Sequence, residues 1–438
     1  METALKIDTG DTAWILVSTA LVLLMTPGLA FFYGGMVRTK NVLSTIMHSL
    51  FAMGLVTLVW VTVGYTLAFG SDKGGVIGGW EHLFLAGVGL DPKEGMTIPH
   101  ALFMAFQMMF AIITPALISG AYAERLKFRA YVLFSTLWLL LVYAPSAHWV
   151  WGGGFLAGMG ALDFAGGTVV HINAGISALV FAMVLGPRKG FPRDKHIPHN
   201  LTMTVLGTGL LWFGWFGFNA GSALAANGLA AIALVNTHVA AGTGAVAWTV
   251  VEALRFGKAN AFGFASGLVA GLVAITPAAG YVSPMASVMI GLCAGVVCYG
   301  AVILKEKLGY DDSLDAFGVH GVGGILGALL TGVFAEKVWN AAGNDGLLAG
   351  NPGLLWTQAV ATFVSMAYSA VATFLIVKLV EKTVGLRVSE EVEYDGLDVN
   401  LHGEQGYAMG PTAQAHSILA PGGTALAAEE AAAVRAGS

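Results

Sequence analysis

Long runs of apolar residues, separated by short polar or Pro/Gly-rich breaks, dominate this chain. No Asp, Glu, Lys or Arg occurs in residues 201–251 or in residues 259–304. Each run exceeds the roughly 20 residues with which a helix crosses a bilayer. The apolar stretches predict eleven transmembrane helices, at residues 12–35, 43–69, 99–122, 129–146, 165–186, 200–222, 229–254, 261–277, 282–304, 316–334 and 354–382. The pattern therefore indicates an all-α polytopic membrane protein.

The composition supports this class and argues against others. Of 438 residues, 56% are hydrophobic and only 11% are charged, whereas a soluble domain carries about a quarter charged residues. The net charge of −5 disfavours a nucleic-acid partner, which needs a basic surface. The runs lack the apolar/polar alternation of a membrane barrel. Two cysteines five residues apart, Cys293 and Cys298, exclude a disulfide framework.

Basic residues are unevenly divided between the two sets of loops. One side carries 13 of them and the other carries four, namely Lys6, Lys73, Lys93 and Lys337. Because cytoplasmic loops are enriched in Lys and Arg, we expect a multi-pass protein of the cell membrane with its N-terminus outside and its C-terminus in the cytoplasm.

A short polar motif occurs twice. Asp163 is followed after seven residues by His171, and Asp312 is followed after seven residues by His320. Five predicted helices separate the copies, so the second copy enters the membrane in the opposite sense, as in the inverted repeats of transporters. The pattern predicts two inverted five-helix halves plus a final helix, with the histidines facing each other near the midplane. Either histidine alone is equally well read as a buried imidazole bonded across helices; the matched pair favours a pore or proton-relay site.

The two aspartates are predicted to cap the helices that follow them. Attraction of a cation to Asp163 or Asp312 is a second role, and the sequence does not separate the two. Aromatic residues cluster on the same predicted helices, among them Phe110, Trp151 and Trp215. They suit core packing or a membrane-interface belt, but aromatic faces also bind cations, and composition does not choose between these roles.

Four motifs at residues 31–35, 161–174, 215–222 and 317–321 closely resemble the ammonium transporter (Amt/Mep/Rh) family, and the similarity extends from about residue 11 to residue 407. The resemblance implies an eleven-helix fold with two inverted halves, assembled as a homotrimer with one narrow hydrophobic pore in each subunit. It implies no cofactor and no enzymatic activity. An intramembrane enzyme is also disfavoured because the chain shows no HExxH metal motif and no convincing nucleophile arrangement.

The resemblance also implies roles for particular residues. Phe110, Trp151 and Ser222 would hold ammonium at an outer site, with Asp163 nearby. Phe110 and Phe218 would stack as a gate, Trp215 would line the wall, and His171 and His320 would stand in the pore. Trp151 and Ser222 resemble the Amt/Mep branch. Leu314 is a departure, because some relatives carry Cys at this position.

These roles imply that ammonium binds outside, loses a proton near the gate, crosses as ammonia and is reprotonated in the cytoplasm. The alternative is a membrane sensor that binds ammonium and signals through its C-terminal tail with little flux. We divide the chain into a transmembrane domain at residues 1–382, a cytoplasmic regulatory segment at 383–407 and a disordered tail at 408–438. The middle segment resembles the family's regulatory tail, which implies a PII-type signalling protein as partner.

Overall fold

The computed structural model describes residues 6–194 and 196–407; the predicted disordered tail at 408–438 lies outside the described residues. Ten helices in the described chain are long and apolar enough to cross a membrane, and one shorter apolar helix joins them. In chain order they are α1 (Thr9–Met36), α2 (Thr39–Phe69), α3 (His100–Tyr122), α4 (Phe128–Gly158), α5 (Gly167–Leu185), α6 (Leu201–Gly221), α7 (Gly228–Phe256), α8 (Ala261–Ile275), α9 (Pro284–Leu308), α10 (Phe317–Phe334) and α11 (Pro352–Val384). The predicted eleven-helix fold is confirmed.

The prediction for α4 was too short. It placed the end at residue 146, next to Pro145, whereas the helical segment continues to Gly158. A π turn at Leu139–Tyr143 precedes the helical segment Ala144–Trp151, and Pro145 lies in the first turn of that segment. The π turn runs directly into this segment, and its altered hydrogen-bond pattern accommodates Pro145 within a continuous helix, which carries Trp151 to the end of the bundle.

Helix α8 has only 15 residues and is buried along almost its whole length. It packs against α6, α7, α9 and α10. A helix surrounded by protein need not match the thickness of the hydrocarbon layer, because its ends are covered by neighbouring chain rather than by lipid. The loop between α2 and α3 adds a small antiparallel hairpin, β1 (Asp72–Lys73) with β2 (Ile77–Gly78).

The helices repeat as α1–α5 and α6–α10, followed by α11. Helix α1 packs along α6, and the broken helices α5 and α10 pack against each other. Both α5 and α10 begin with a π turn, at Gly167–Ile172 and Phe317–Gly321. Irregular turns of this kind are frequent at functional sites, and here each contains the histidine of the repeated motif.

Ion pairs join the loops that lie at the basic end of the bundle. Arg188, after α5, contacts both Asp311, before α10, and Glu124, after α3, at 2.8 and 3.2 Å. Arg125 donates to the carbonyl of Asp311 over 2.6 Å. Burial alone would raise the pKa of Glu124, but the charges of Arg188 and Arg38, with hydrogen bonds from Arg38, lower this pKa to about 2. These charges are therefore paired within the protein rather than solvated.

The segment after α11 folds back onto this same end. The backbone of Leu386 accepts a hydrogen bond from Lys127, and Val388 donates to Arg125. A short helix, α12 (Glu390–Asp395), follows. Asp398 then accepts hydrogen bonds from the backbone of Leu43 and Ser44 at the start of α2. The predicted regulatory segment is thus docked against the loops that connect the transmembrane helices.

Candidate functional site

The two repeated histidines lie in contact at the centre of the bundle. Their Nδ1 atoms are 3.3 Å apart, and their rings are nearly parallel, with 17° between the planes. Both side chains are buried. Two facing ring nitrogens form a hydrogen bond only when one carries a proton and the other does not. In the contact between His171 and His320, one Nδ1 atom therefore donates to the other, and the tautomers decide which of the two is the donor.

Close backbone approach brings the two histidine-bearing helices together. A Cβ added to Gly175 of α5 would lie 2.1 Å from the backbone nitrogen of Gly321 in α10, which is far inside van der Waals contact. Only glycine permits this spacing, as expected for small residues between membrane helices. The ring of His171 also stacks on Trp215 at 5.4 Å, so both this contact and the Nδ1 contact with His320 restrict its orientation.

Asp163 caps the start of α5, as the sequence predicted. Its carboxylate accepts four backbone hydrogen bonds, from residues 166–169, at 2.7 to 3.2 Å. Its carbonyl accepts a further bond from the indole of Trp151 over 3.0 Å. Asp312 plays the same role at α10 with two backbone donors, Ala316 and Phe317. The structure gives both aspartates the capping role.

An outer cavity of about 150 Å³ contains three of the residues assigned by resemblance, Phe110, Trp151 and Ser222. The hydroxyl of Ser222 donates to the carbonyl of Phe218 over 2.8 Å, so its oxygen lone pairs remain free to accept a hydrogen bond. Gln107 also lines this cavity, and its buried Oε1 has no hydrogen-bond partner in the described chain. The cavity thus offers aromatic faces and two acceptor oxygens.

Gln107 was not among the residues that the sequence assigned to the outer binding site. The available signal was its polarity within the apolar helix α3, three residues before Phe110 and hence on the same helical face. Phe164 also lines this cavity, and nothing in its local sequence separates it from ordinary core aromatics.

Two phenylalanine rings in tilted contact, with 38° between their planes, close the floor of the outer cavity. The ring centroids of Phe110 and Phe218 are 4.3 Å apart, and both side chains are buried. Phe110 lines the outer cavity, whereas Phe218 lines a second cavity that contains the histidine pair. Passage from one cavity to the other therefore requires these rings to move.

The histidine cavity is small and is lined mainly by apolar side chains. Its volume is about 10 Å³, close to the minimum that holds one water molecule. Besides His171 and His320, the residues that line it in the described chain are apolar or aromatic: Met25, Leu29, Phe32, Ile113, Leu117, Val170, Leu211, Trp215, Phe218 and Val269. The indole of Trp215 is already bonded to Thr276. The Nε2 atom of His171 has no partner in the described residues, so it is available to a small polar molecule.

A third cavity, of about 30 Å³, continues the path beyond the histidines. It shares Phe32, Val269 and His320 with the histidine cavity. Asp315 lines it, and the ammonium group of Lys305 contacts the carboxylate of Asp315 at 2.5 Å. The sequence interpretation assigned no role to this pair. Asp315 lies inside the repeated motif, three residues after Asp312, and this position was the available signal.

Four further histidines, His48, His100, His148 and His238, lie outside the residues that line these three cavities. His148 bonds to Asp72 at 2.8 Å and to the carbonyl of Ala68. His48 is buried against Tyr131, and His238 stacks on Trp212. In the described part of the chain, no group of three or more His, Cys, Asp or Glu residues is placed to hold a metal ion.

Comparison with known proteins gives a consistent match. A family model described as Ammonium Transporter Family matches residues 13–407. An ammonium transporter of Bacillus subtilis is 54% identical over 400 residues, covering 91% of this chain and 98% of that protein. The crystal structure of Saccharomyces cerevisiae Mep2 superimposes with a TM-score of 0.84 at 36% identity, covering 88% of this chain and 89% of the other. A structure described as a sensor Amt protein superimposes with a TM-score of 0.83 at 32% identity, covering 90% and 98%.

Proposed function

This chain belongs to the ammonium transporter family, and on that premise we propose that it carries ammonium nitrogen across the cell membrane through the three cavities in series. The observation that carries the proposal is the histidine pair, whose Nδ1 atoms are 3.3 Å apart in an apolar cavity of about 10 Å³ and in which the Nε2 atom of His171 has no partner among the described residues. The site holds a small hydrogen-bonding molecule and excludes a hydrated ion.

The outer cavity recruits the cation. An ammonium ion binds against the faces of Phe110 and Trp151, an interaction worth about 0.5–2 kcal/mol depending on desolvation. Its N–H groups donate to the oxygens of Ser222 and Gln107, which the described chain leaves free to accept. Asp163 holds the outer end of α5 and the indole of Trp151 in place, and its negative charge adds attraction for the cation.

Selectivity follows from the dryness of the path below the gate. A bare cation in an apolar cavity loses its hydration at a cost of many kcal/mol, whereas a neutral molecule with a few hydrogen bonds crosses at far lower cost. Ammonium can become neutral by giving up a proton, and potassium cannot. The ion loses its proton near Asp163 and the Phe110–Phe218 gate, and ammonia then passes the two imidazoles. The released proton either stays outside or crosses separately through the histidine pair.

A double substitution tests the role of the histidines. His171→Ala with His320→Ala, reconstituted in liposomes, is expected to lose its discrimination between ammonium and potassium in solid-supported-membrane currents and in uptake. The matched control is His82→Ala, which removes a histidine of the outer loop that does not line the three cavities. Unchanged selectivity and flux in the double variant would remove the central role given to the pair. Ammonium uptake without current in the wild type would indicate electroneutral passage of ammonia.

The oligomer, the orientation and the regulatory partner are part of the same proposal. The excess of basic residues at one end supports a cytoplasmic location for that end and for the docked segment that follows α11. We expect a homotrimer with one pathway in each subunit, because members of this family resemble one another in assembly. A PII-type protein would bind at the cytoplasmic face, and pull-down under different effector and nitrogen conditions tests this partner.

A sensor is the second candidate. It is favoured by the similarity to a sensor Amt protein and by the contacts of the segment after α11 with the start of α2. These contacts couple the helices to a surface that a signalling partner can reach. Ammonium binding without measurable uptake in liposomes would favour the sensor, and uptake at a rate well above empty liposomes would favour the transporter.

A further inference from the structure

A primary ammonium group that belongs to the protein is bound to a carboxylate in the wall of the inner cavity, that of Asp315. The Nζ atom of Lys305, at the end of α9, donates to Oδ1 of Asp315 over 2.5 Å and to the carbonyl of Asp312 over 2.8 Å. Both charged side chains are largely buried, with 13% and 19% of their surface exposed. One carboxylate and one carbonyl oxygen thus surround an alkylammonium group next to the cavity that His320 lines. These acceptors would suit a free ammonium ion equally well.

The repeated motif shows that Asp315 is not required by the backbone. Asp315 lies three residues after Asp312, and the corresponding residue of the outer copy is Gly166, three residues after Asp163. Both residues have positive φ angles, 61° for Asp315 and 112° for Gly166. Glycine adopts this conformation freely, whereas another residue pays of order 1 kcal/mol or more. The inner copy therefore carries a carboxylate at a position where the backbone favours glycine.

The outer copy excludes a side chain at the same position. A Cβ on Gly166 would lie 2.7 Å from Cγ2 of Val170 and 3.3 Å from the indole of Trp151. The space that Trp151 fills at the outer end is thus open to the Asp315 carboxylate at the inner end. The two copies share the capping aspartate and the pore histidine but differ in the group that meets the substrate.

We propose that Asp315 and the carbonyl of Asp312 form a second, inner binding site for ammonium, which Lys305 occupies as a tethered competitor. This inference rests on the proposed function, because it concerns the ammonium ion that forms when ammonia leaves the histidine cavity and takes up a proton from the inner solution. That ion displaces the Lys305 ammonium group from Asp315. When the ion departs, Lys305 returns and neutralises the carboxylate.

The tethered group limits how strongly the inner site holds its product. A carboxylate without a partner beside the pore exit would retain ammonium and slow its release. Because Lys305 is attached to the same protein, it competes at a high effective concentration that does not depend on the solution. The pair therefore keeps the inner site weak, so that net inward transport continues when ammonium accumulates inside.

Inhibition of uptake by internal ammonium tests the proposal. Vesicles of uniform orientation are loaded with unlabelled ammonium, and the initial uptake of nitrogen-15 ammonium is measured. Lys305→Met keeps the length of the side chain and removes its charge. We expect half-maximal inhibition of uptake at an internal ammonium concentration about tenfold lower than in wild type, equivalent to about 1.4 kcal/mol. Asp315→Asn and Asp315→Gly are expected to raise that concentration by a similar factor, and Asp315→Gly also relieves the positive φ angle.

Lys307→Met is the matched control, because Lys307 is exposed on the same helix, two residues further on. It should leave the internal concentration for half inhibition unchanged. Internal potassium at equal ionic strength should inhibit less than ammonium. Equal inhibition by potassium would show a general cation site. If Lys305→Met and Asp315→Asn shifted the internal concentration for half inhibition in the same direction, the pair would be purely structural. Either result overturns the proposal.

A binding measurement separates this inference from the transport function. A ligand that binds only the folded state raises the stability of that state. Thermal unfolding of purified Lys305→Met and of the double variant Lys305→Met with Asp315→Asn is therefore measured in ammonium chloride and in sodium chloride at equal ionic strength. Ammonium chloride should stabilise Lys305→Met more than it stabilises the double variant. This difference requires no flux. If it is present while uptake is absent in the wild type, the proposed transport fails and the inner site stands. If the two variants respond alike, the inner site fails even where uptake is intact.

Discussion

The outer and inner ends of the proposed pathway are built around two copies of one motif, yet their cavities carry different polar groups. The outer cavity presents Phe110, Trp151 and Ser222, which are uncharged groups. The inner cavity presents Asp315, whose carboxylate is paired with the charged group of Lys305. Between them, His171 and His320 lie nearly parallel in a shared contact. The repeat is closely matched where we propose that the substrate is neutral, and it diverges where the substrate carries charge.

The difference follows from what each end has to do. Capture from outside requires affinity for ammonium. Aromatic faces together with hydroxyl or amide oxygens bind a cation without a carboxylate, so no negative charge is left unpaired when the cation leaves. Release inside requires weak binding, and a carboxylate that is already paired with Lys305 provides it. On the proposed function, a symmetric scaffold would thus combine a stronger outer site with a weaker inner one.

The largest effect is expected from removing the capping aspartates. Asp163→Ala leaves four backbone N–H groups at the start of α5 without their acceptor, whereas Asp312→Ala leaves two. At about 1 kcal/mol for each hydrogen bond lost by a buried backbone group, we expect the free energy of unfolding to fall by about 4 kcal/mol at the outer end and about 2 kcal/mol at the inner end. Thermal unfolding in detergent measures both. Asp163→Asn, which keeps one acceptor oxygen, should lie between wild type and Asp163→Ala; equal losses for both alanine variants would contradict this difference between the ends.

A somewhat smaller effect is expected where ion pairs hold the inner loops. Glu124→Gln removes the charge that Arg188 and Arg38 contact, and breaking a buried pair in this way costs about 3 kcal/mol. The pKa of Glu124 is lowered to about 2 from its ordinary value of 4.5. Its ionised form therefore stabilises the folded state above about pH 4.5, and this contribution is lost as the pH falls from 4.5 towards 2.

Thermal unfolding across that pH range checks the assignment. Wild type should lose stability steadily below pH 4.5, and Glu124→Gln should show a weaker dependence. At the outer end, Asp72→Asn removes the partner of His148 from an exposed position and should change stability far less than Glu124→Gln. A pH profile of Glu124→Gln that parallels wild type would assign the acid sensitivity to other carboxylates.

The smallest effect is expected at the outer site itself. Ser222→Ala removes one neutral hydrogen-bond acceptor, worth about 1 kcal/mol, and should raise the external ammonium concentration for half-maximal uptake several-fold without changing the maximal rate. Inhibition by internal ammonium should stay at the wild-type level. The converse is expected for Asp315→Asn, which should alter internal inhibition and leave external affinity unchanged. A change of both quantities in either variant would show that the two ends are not independent.

The sequence predicted much of this fold because the relevant signals are local or repeated. Runs of apolar residues located the eleven helices, and the spacing of Asp163 from His171 and of Asp312 from His320 predicted the inverted halves and the helix caps. The extension of α4 past Pro145 was missed because a π turn at Leu139–Tyr143 has no clear local signature. Gln107 and Asp315 were missed because a single polar residue does not reveal which cavity it lines.

The sequence alone determined which segments enter the membrane and which residues are repeated, because burial in lipid depends on the composition of each segment and needs no partner. Only the tertiary structure decided which polar atoms remain without a partner and which charges meet. Lys305 and Asp315 are ten residues apart on either side of a loop, and the positive φ angle of Asp315 accompanies the turn in which they pair. The Nε2 atom of His171 likewise has no partner among the described residues, because helices distant in sequence surround it with apolar side chains around a cavity of only about 10 Å³.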